Sequence, residues 1–462
     1  MPKNIIFIIL LLFNFVQPAI AKNNQSDRLI ENKIEQLFSN IDTPIYLKYI
    51  DKKGLSLDYL IKNAISNNKS LLGNQQQIQV GQGRLKQSGL LLNPEISMNF
   101  SNNYIIDHEG EYDFGLTYTQ PIELFGRRQS RYKVAELQLE AIKNQVQFEY
   151  VKLISDLKEE YINVLVDAEN LRITEQLVNL NKQLLELTQA KYTLGDVSKF
   201  DANLARIELN RLKIKLTTAE NKTKGSLIRL KASAGMNINQ SIKISGSFYS
   251  TSLLPDEIKV ENLQSLAVQN RFDLKTASLN QEVSQATINQ LQTENMPVFN
   301  FSGGYSRNKS IFDNTPVGEI TDTDNNILFG LSMQLPISNR NQGHISETQA
   351  IEKQNQFKKE FLEQQIKRDV SIAYYNLQAA KNNIDVYDNQ VLKDAKENLL
   401  ITRGIHQLGE QDLLYVIIEQ TRLIDIQKEY IDVLREYNFA IIDLERAINL
   451  PINSIISKEN KK

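Results

Sequence analysis

FGLTYTQPI, residues 114–122, returns as FGLSMQLPI at residues 329–337, and the rest of the chain repeats around this pair. Upstream, Leu60, Ala64, Asn67, Leu71, Val80 and Pro94 recur at one constant offset as Leu263, Ala267, Asn270, Leu274, Val283 and Pro297. Downstream, Leu194-Gly195-Asp196 recurs as Leu408-Gly409-Glu410. The offset widens between Pro94 and Phe114, so the second copy carries the longer connection there. Such a period far exceeds the roughly 20–50 residues of solenoid repeats, so the duplicated unit is a whole structural block and implies a pseudo-symmetric assembly.

Each copy holds two segments of period-two alternation, expected as strands over about 95–101 and 112–120, then 298–305 and 326–335. Ile96, Met98 and Phe100 alternate with Ser97, Asn99 and Ser101, and Phe114, Leu116 and Tyr118 with Gly115, Thr117 and Thr119. The second copy repeats the pattern with Phe299, Phe301 and Tyr305, then Ile327, Phe329, Leu331 and Met333. A sandwich strand alternates in the same way. These segments, however, have the length of a tilted membrane strand, and nothing in the sequence supplies a second layer for the polar face. Four strands cannot close a barrel, for which about eight is the smallest workable number, so closure would require several chains. The connections 102–111 and 306–326, rich in Asn, Asp, Gly and Ser, read as hairpin tips facing water.

Two long helical tracts, roughly 126–234 and 340–450, carry most of the remaining chain. Gln129–Tyr192 contains neither Pro nor Gly and would extend on the order of 95 Å at 1.5 Å per residue, more than a globular core needs. Gly195 and Gly409 each precede an acid and a new apolar-periodic stretch, so each tract reads as a helical hairpin turning at a C-cap glycine. In the last helix, Val416, Leu423, Tyr430, Tyr437 and Leu444 with Gln420, Gln427, Leu434, Ile441 and Ile448 form an a/d seam of coiled-coil type.

The N-terminus, with Lys3, an apolar run from Ile5 to Val16 and Ala19-Ile20-Ala21, reads as a secretory signal over residues 1–21. No Cys occurs anywhere, which excludes a disulfide framework, a thiolate metal site and a lipidated cysteine. No later stretch is apolar enough for a membrane helix, so a membrane crossing would have to be a closed barrel. A net charge of -2 argues against a nucleic-acid partner. The absence of Trp leaves the 18 Tyr to supply any interfacial belt. The expected organisation is then a signal (1–21), an N-terminal extension (22–54), a first repeat (55–235), a linker (236–259), a second repeat (260–450) and a tail (451–462).

QSGLLLNPEIS (87–97), TQPIELFGRRQSR (119–131), YTLGDVSKFDANLAR (192–206) and LPISNRNQGHISETQA (335–350), in this order and duplicated, resemble the TolC family of outer-membrane efflux proteins. Within that family they resemble the CzcC-like members of tripartite, RND-type efflux systems. The resemblance implies an α+β protomer of duplicated helical and β-hairpins. Three such protomers would build a twelve-stranded outer-membrane barrel continued by a periplasmic helical barrel. It also implies docking on a periplasmic adaptor, an inner-membrane pump behind it, no cofactor and no covalent chemistry. Many relatives carry an N-terminal lipidated cysteine, absent here, so anchoring would rest on the barrel. Some line the periplasmic aperture with acids where this chain has Tyr415 and Ile418, so gate chemistry does not transfer residue by residue.

The candidate sites follow from this frame. Leu194, Gly195, Asp196, Leu408, Gly409 and Glu410 are the candidate docking tips. Asp201, Asp412, Tyr415, Ile418 and Glu419 are the candidate periplasmic mouth, where repeated acids would favour cations; capping and solubility explain the same acids equally simply. Arg127, Arg128 and Arg131 open a helix, where the macrodipole disfavours cations. They call for compensation by lipid phosphates or a neighbouring protomer's carboxylates, unless they are a plain solvated helix start. His108, His344 and His406 lack ligand spacing, Met98, Met236, Met296 and Met333 form no soft-metal cluster, and no phosphate loop or hydrolase elbow appears. The rival to a channel is a soluble periplasmic coiled-coil structural or adaptor protein.

Overall fold

The computed structural model describes residues 44–102, 110–246, 259–312, 316, 318–408, 410–452 and 454. The expected signal, most of the extension, His108, part of the linker, Gly409 and most of the tail lie outside the described residues. The chain divides into two units, one of Met1–Asn74, Gln147–Phe272 and Glu363–Lys462, the other of Gln75–Val146 and Asp273–Leu362.

In the order of the chain, the elements are β1 (Ile50–Leu55), α1 (Leu57–Asn67), α2 (Lys69–Ser88), β2 (Glu95–Asn102), β3 (Tyr112–Ile122), α3 (Arg127–Leu194) and α4 (Lys199–Ser233). The second copy supplies α5 (Val260–Asn270), α6 (Phe272–Glu294), β4 (Val298–Phe312), β5 (Ile320–Gln334), α7 (Gln342–Val386), α8 (Leu392–Gln407) and α9 (Leu413–Ile448). A π-helical turn, Tyr387–Val391, joins α7 to α8, whereas α3 is α-helical through all its 68 residues.

The first unit is helical, and its core repeats as the sequence does. Leu60 and Leu263 are both fully buried, as are Ala64 and Ala267 to within a few per cent. Gly235 and Asn449, equivalent positions after α4 and α9, both adopt left-handed backbone that ends the helix. In α9 the buried stripe runs through Leu413, Val416, Ile417, Gln420, Ile424, Ile431 and Leu434, then Tyr437, Ala440, Ile442, Leu444, Ala447 and Ile448. Of the expected seam, Val416, Gln420, Leu434, Tyr437, Leu444 and Ile448 are buried, whereas Leu423, Gln427, Tyr430 and Ile441 are half-buried beside the buried Ile424, Ile431 and Ile442.

One element of this unit has no counterpart in the sequence reading. β1 lies at the end of the expected extension, its last residue Leu55 opening the expected first repeat, and bridges in parallel to Ile244 of the expected linker through Ile50 and Leu55. Gly54 allows this approach, since a Cβ there would sit 2.5 Å from the Ile244 carbonyl carbon. The Glu175 carboxylate accepts the backbone N–H of Ile45 at 2.7 Å, fixing the start of the described chain to α3.

The second unit contains one antiparallel sheet in the order β2-β3-β4-β5. β4 and β5 have 15 residues each and pair from Val298↔Gln334 to Phe312↔Ile320. This corrects the expected loop 306–326, most of which is paired strand. Its Asn, Asp and Ser content hid a ladder whose backbone bonds are made whatever the side chains. Both outer strands, β2 and β5, keep an unpaired edge among the described residues.

Candidate functional site

The turn after α3 is built entirely from local chemistry. Gly195 has φ +86, its N–H donates to the Tyr192 carbonyl at 3.1 Å, and the Asp196 N–H donates to the Lys191 carbonyl at 2.9 Å. This pair of bonds satisfies the last carbonyls of the helix and requires left-handed backbone at the glycine. Ser198 then caps α4: its hydroxyl accepts from the Asp201 N–H at 3.2 Å, while the Asp201 carboxylate accepts from the Ser198 N–H at 3.1 Å. Ser198-x-x-Asp201 is a capping box, so of the two readings of this acid, cap or mouth charge, the local geometry makes it a cap. Asp201 is thereby engaged in holding the turn.

The second tip keeps half of this design. The Glu410 N–H donates to the Ile405 carbonyl at 3.2 Å, the equivalent of the Asp196 bond, and the Leu408 N–H to the Gly404 carbonyl at 3.2 Å. Gly409 itself lies outside the described residues. Asp412 stands at the N-cap of α9 without a side-chain cap bond, and Tyr415, in the place of Asp201, has no carboxylate to return a bond to the N-cap N–H. His406 Nδ1 lies 2.7 Å from the Gln411 carbonyl, which fixes that nitrogen as the protonated one.

Leu194 and Leu408 are each 77% exposed, a matched pair of apolar knobs at the ends of two hairpins. Behind them, Ala205, Leu413 and Ile417 form a small core with Leu184, Leu185 and Leu204 against it. Tyr415 and Ile418 are exposed beside that core. Glu419 is paired with Arg422 at 2.8 Å, whereas the carboxylates of Asp196, Glu410 and Asp412 make no ion pair among the described residues. A groove of about 600 Å³ lined by Leu204, Arg211, Leu414, Ile418 and Arg422 runs back from this end of the unit. His344 is exposed beside Glu347, and no metal-holding group of side chains occurs among the described residues.

In the second unit the sheet has one apolar face. Cross-strand rows Ile122–Phe299–Met333, Gln120–Phe301–Leu331, Ile96–Tyr118–Gly303–Phe329 and Met98–Leu116–Tyr305–Ile327 are consecutive on it. From Phe299 to Arg307 this face covers about 27 Å along the strand, on the order of 20 Å along a membrane normal at a tilt of roughly 40°. Phe329, at 78% exposure, and Ile96, Met98 and Phe100 have no covering layer among the described residues.

The arginines at the strand-to-helix junction find their compensation within the unit. Arg127 donates from Nε to the Thr293 carbonyl at 3.2 Å and from Nη2 to the carbonyls of Glu294 and Met296, so it closes the C-terminal end of α6. Arg131 donates to the carbonyls of Ser88, at 3.0 Å, and Leu90, at 3.1 Å, after α2, and pairs with Glu123 at 2.7 Å. Glu123 apart, these partners are residues far away in sequence, which no local pattern announces. Arg128 alone is exposed and without a partner among the described residues.

An amphipathic sheet with two open edges, joined to long helical hairpins with capped tips, defines one protomer of an outer-membrane channel. Comparison with known proteins gives the family: the outer membrane efflux protein family matches residues 60–236 and 263–450, both copies of the repeat, and the chain belongs to it. It is an outer-membrane efflux channel, and the soluble adaptor reading falls. Outer membrane protein TolC of Vibrio cholerae serotype O1 is 21% identical over 303 residues, 64% of this chain and 67% of that protein. Among solved structures, CusC superposes with a TM-score of 0.71 at 17% identity, covering 89% of this chain and 95% of CusC. The open state of the Neisseria gonorrhoeae MtrE outer membrane channel gives 0.68 at 15% identity, covering 95% and 98%.

Proposed function

We propose that three copies of this chain join the β5 edge of one sheet to the β2 edge of the next, closing a twelve-stranded barrel in the outer membrane. The helical hairpins continue it into the periplasm. There the tips Leu194-Gly195-Asp196 and Leu408-Gly409-Glu410 dock on a periplasmic adaptor that links the channel to an inner-membrane pump of RND type. The unpaired edges of a sheet too narrow to close alone carry the first half of this reading. The matched exposure of Leu194 and Leu408 at the two helical turns carries the second.

Asp412, Tyr415, Ile418 and Glu419 lie within a turn or two of the second tip and form the periplasmic mouth in this reading. Asp201 serves the first tip as a cap. The stretches QSGLLLNPEIS and TQPIELFGRRQSR support a place among the CzcC-like members.

The docking half is tested with the double substitution Leu194→Asp and Leu408→Asp. Efflux and co-purification of the adaptor should both fall at least tenfold, while the trimer and its membrane insertion remain. Unchanged efflux would remove the tips from the docking surface.

A further inference from the structure

The charges of the membrane sheet are sorted by face. Among the described residues of its four strands there are four carboxylates, Glu95, Asp113, Asp322 and Asp324, and two cations, Arg307 and Lys309. Strand register puts every carboxylate on the polar face, in line with Thr119, Asn308 and Ser310. Both cations stand on the apolar face, where Phe114 and Asn325 flank Arg307 and Tyr112 and Thr323 flank Lys309.

The two cations also share a depth. They occupy the two rows that follow the last wholly apolar row, at the end of the sheet away from the helices, beside Phe100, Phe114 and Tyr112. Neither has an ion-pair or hydrogen-bond partner among the described residues, and Arg307 is exposed. A cation on the lipid face of a barrel costs about 2–4 kcal/mol at the midplane but only about 0–1 kcal/mol near the interface, where lipid headgroups begin. Two residues apart on one strand and on the same face, their Cα atoms stand about 7 Å from one another. A guanidinium grips phosphate with two parallel bonds, and an ammonium adds a point charge.

We propose that Arg307 and Lys309 hold phosphate of the anionic lipid in the outer leaflet, forming one lipid site per protomer at the extracellular rim of the barrel. The assignment rests on the barrel reading above. It adds to that reading that the chain recognises the headgroup of its lipid as well as its hydrocarbon.

The test is lipid retention by the purified full-length trimer, measured by native mass spectrometry with a bis-phosphorylated outer-leaflet glycolipid and with the same lipid dephosphorylated. The wild-type trimer should retain the phosphorylated lipid and bind the dephosphorylated one about tenfold more weakly. Arg307→Gln with Lys309→Gln should lower retention of the phosphorylated lipid by a similar factor, Arg307→Lys should keep most of it, and excess inorganic phosphate should not displace it. Equal binding of the two lipids by the wild type overturns the proposal, and this arm needs no variant to fold. Full displacement by inorganic phosphate overturns it in favour of a free-anion site. Heat-modifiable migration of the same samples reports on the barrel separately, so failure of the barrel is distinguishable from failure of the lipid site.

Discussion

Arg127 donates from its Nε to the carbonyl of Thr293 at 3.2 Å, so the first residue of α3 in one copy of the repeat closes the last turn of α6 in the other. A cation at a helix N-terminus opposes its own dipole, and here the same side chain serves the C-terminal end of a second helix, where positive charge is favoured. The junction between strands and helices is thereby tied across the duplication.

Arg131→Ala should weaken this junction further. It would strand the Glu123 carboxylate, whose side chain is 5% exposed, and release two carbonyls after α2. Removing one partner of such a pair costs about 1–3 kcal/mol. Thermal unfolding of the trimer should fall accordingly, whereas Arg128→Ala should leave it unchanged; equal effects would contradict the capping role.

The two faces of the sheet should respond differently to charge. Phe329→Arg places a cation near the middle of the apolar face, with an expected cost of about 2–4 kcal/mol to barrel stability. Thr117→Arg, on the polar face, should leave barrel formation intact and alter conductance. Heat-modifiable migration reads both, and a barrel that tolerates Phe329→Arg but not Thr117→Arg would turn the sheet inside out.

The first tip should prove the stiffer of the two. Ser198→Ala removes a capping box worth about 1 kcal/mol, whereas Asp412→Ala removes no side-chain cap bond. Gly195→Ala meets no atom within 4 Å, so its cost is the strain of left-handed backbone alone, about 1 kcal/mol. Hydrogen exchange around Thr193–Ala202 should quicken in both first-tip variants, and equal protection in wild type and variants would deny the caps their role.

Acid pH should favour one helix contact in the first unit. Arg446 lies 3.1 Å from Asp156 and 2.5 Å from Glu159, with Asp443 at 3.7 Å. Burial pushes the Glu159 and Asp443 carboxyls above their ordinary range, against the pull of Arg446. Groups raised in the folded state contribute stability that is full below the unfolded carboxylate pKa and is lost as pH rises through the folded one. Glu159→Gln should therefore flatten the fall in melting temperature as pH rises through and just above the usual carboxylate range. An unaltered slope would contradict it.

Much of this architecture was legible in the sequence because its determinants are local. Period-two alternation in Ile96–Ser101 and the glycine of Leu194-Gly195-Asp196 each act over a few residues, and the duplication showed twice what one copy shows once. What escaped depends on partners distant in the chain. β1 exists through its bridge to Ile244, the outer halves of β4 and β5 through their mutual ladder, and the arginine caps through carbonyls over 40 residues away, as for Arg131 and Ser88. Asp201 is a different case: its capping partner stands three residues before it in plain view, so the cap and the pore charge were both open readings of the sequence, and the bond to Ser198 decides for the cap.

The central claim is a chain that crosses the outer membrane with its sheet, the β4–β5 hairpin outside the cell and the tips in the periplasm. A chain without cysteine allows a direct measurement. Single cysteines at Glu319, between β4 and β5, and at Asp196, in the first tip, would be labelled on intact cells with a membrane-impermeant maleimide. Glu319→Cys should label on intact cells and Asp196→Cys only after the outer membrane is permeabilised. Labelling of Asp196→Cys on intact cells, or of Glu319→Cys only after permeabilisation, would contradict the account.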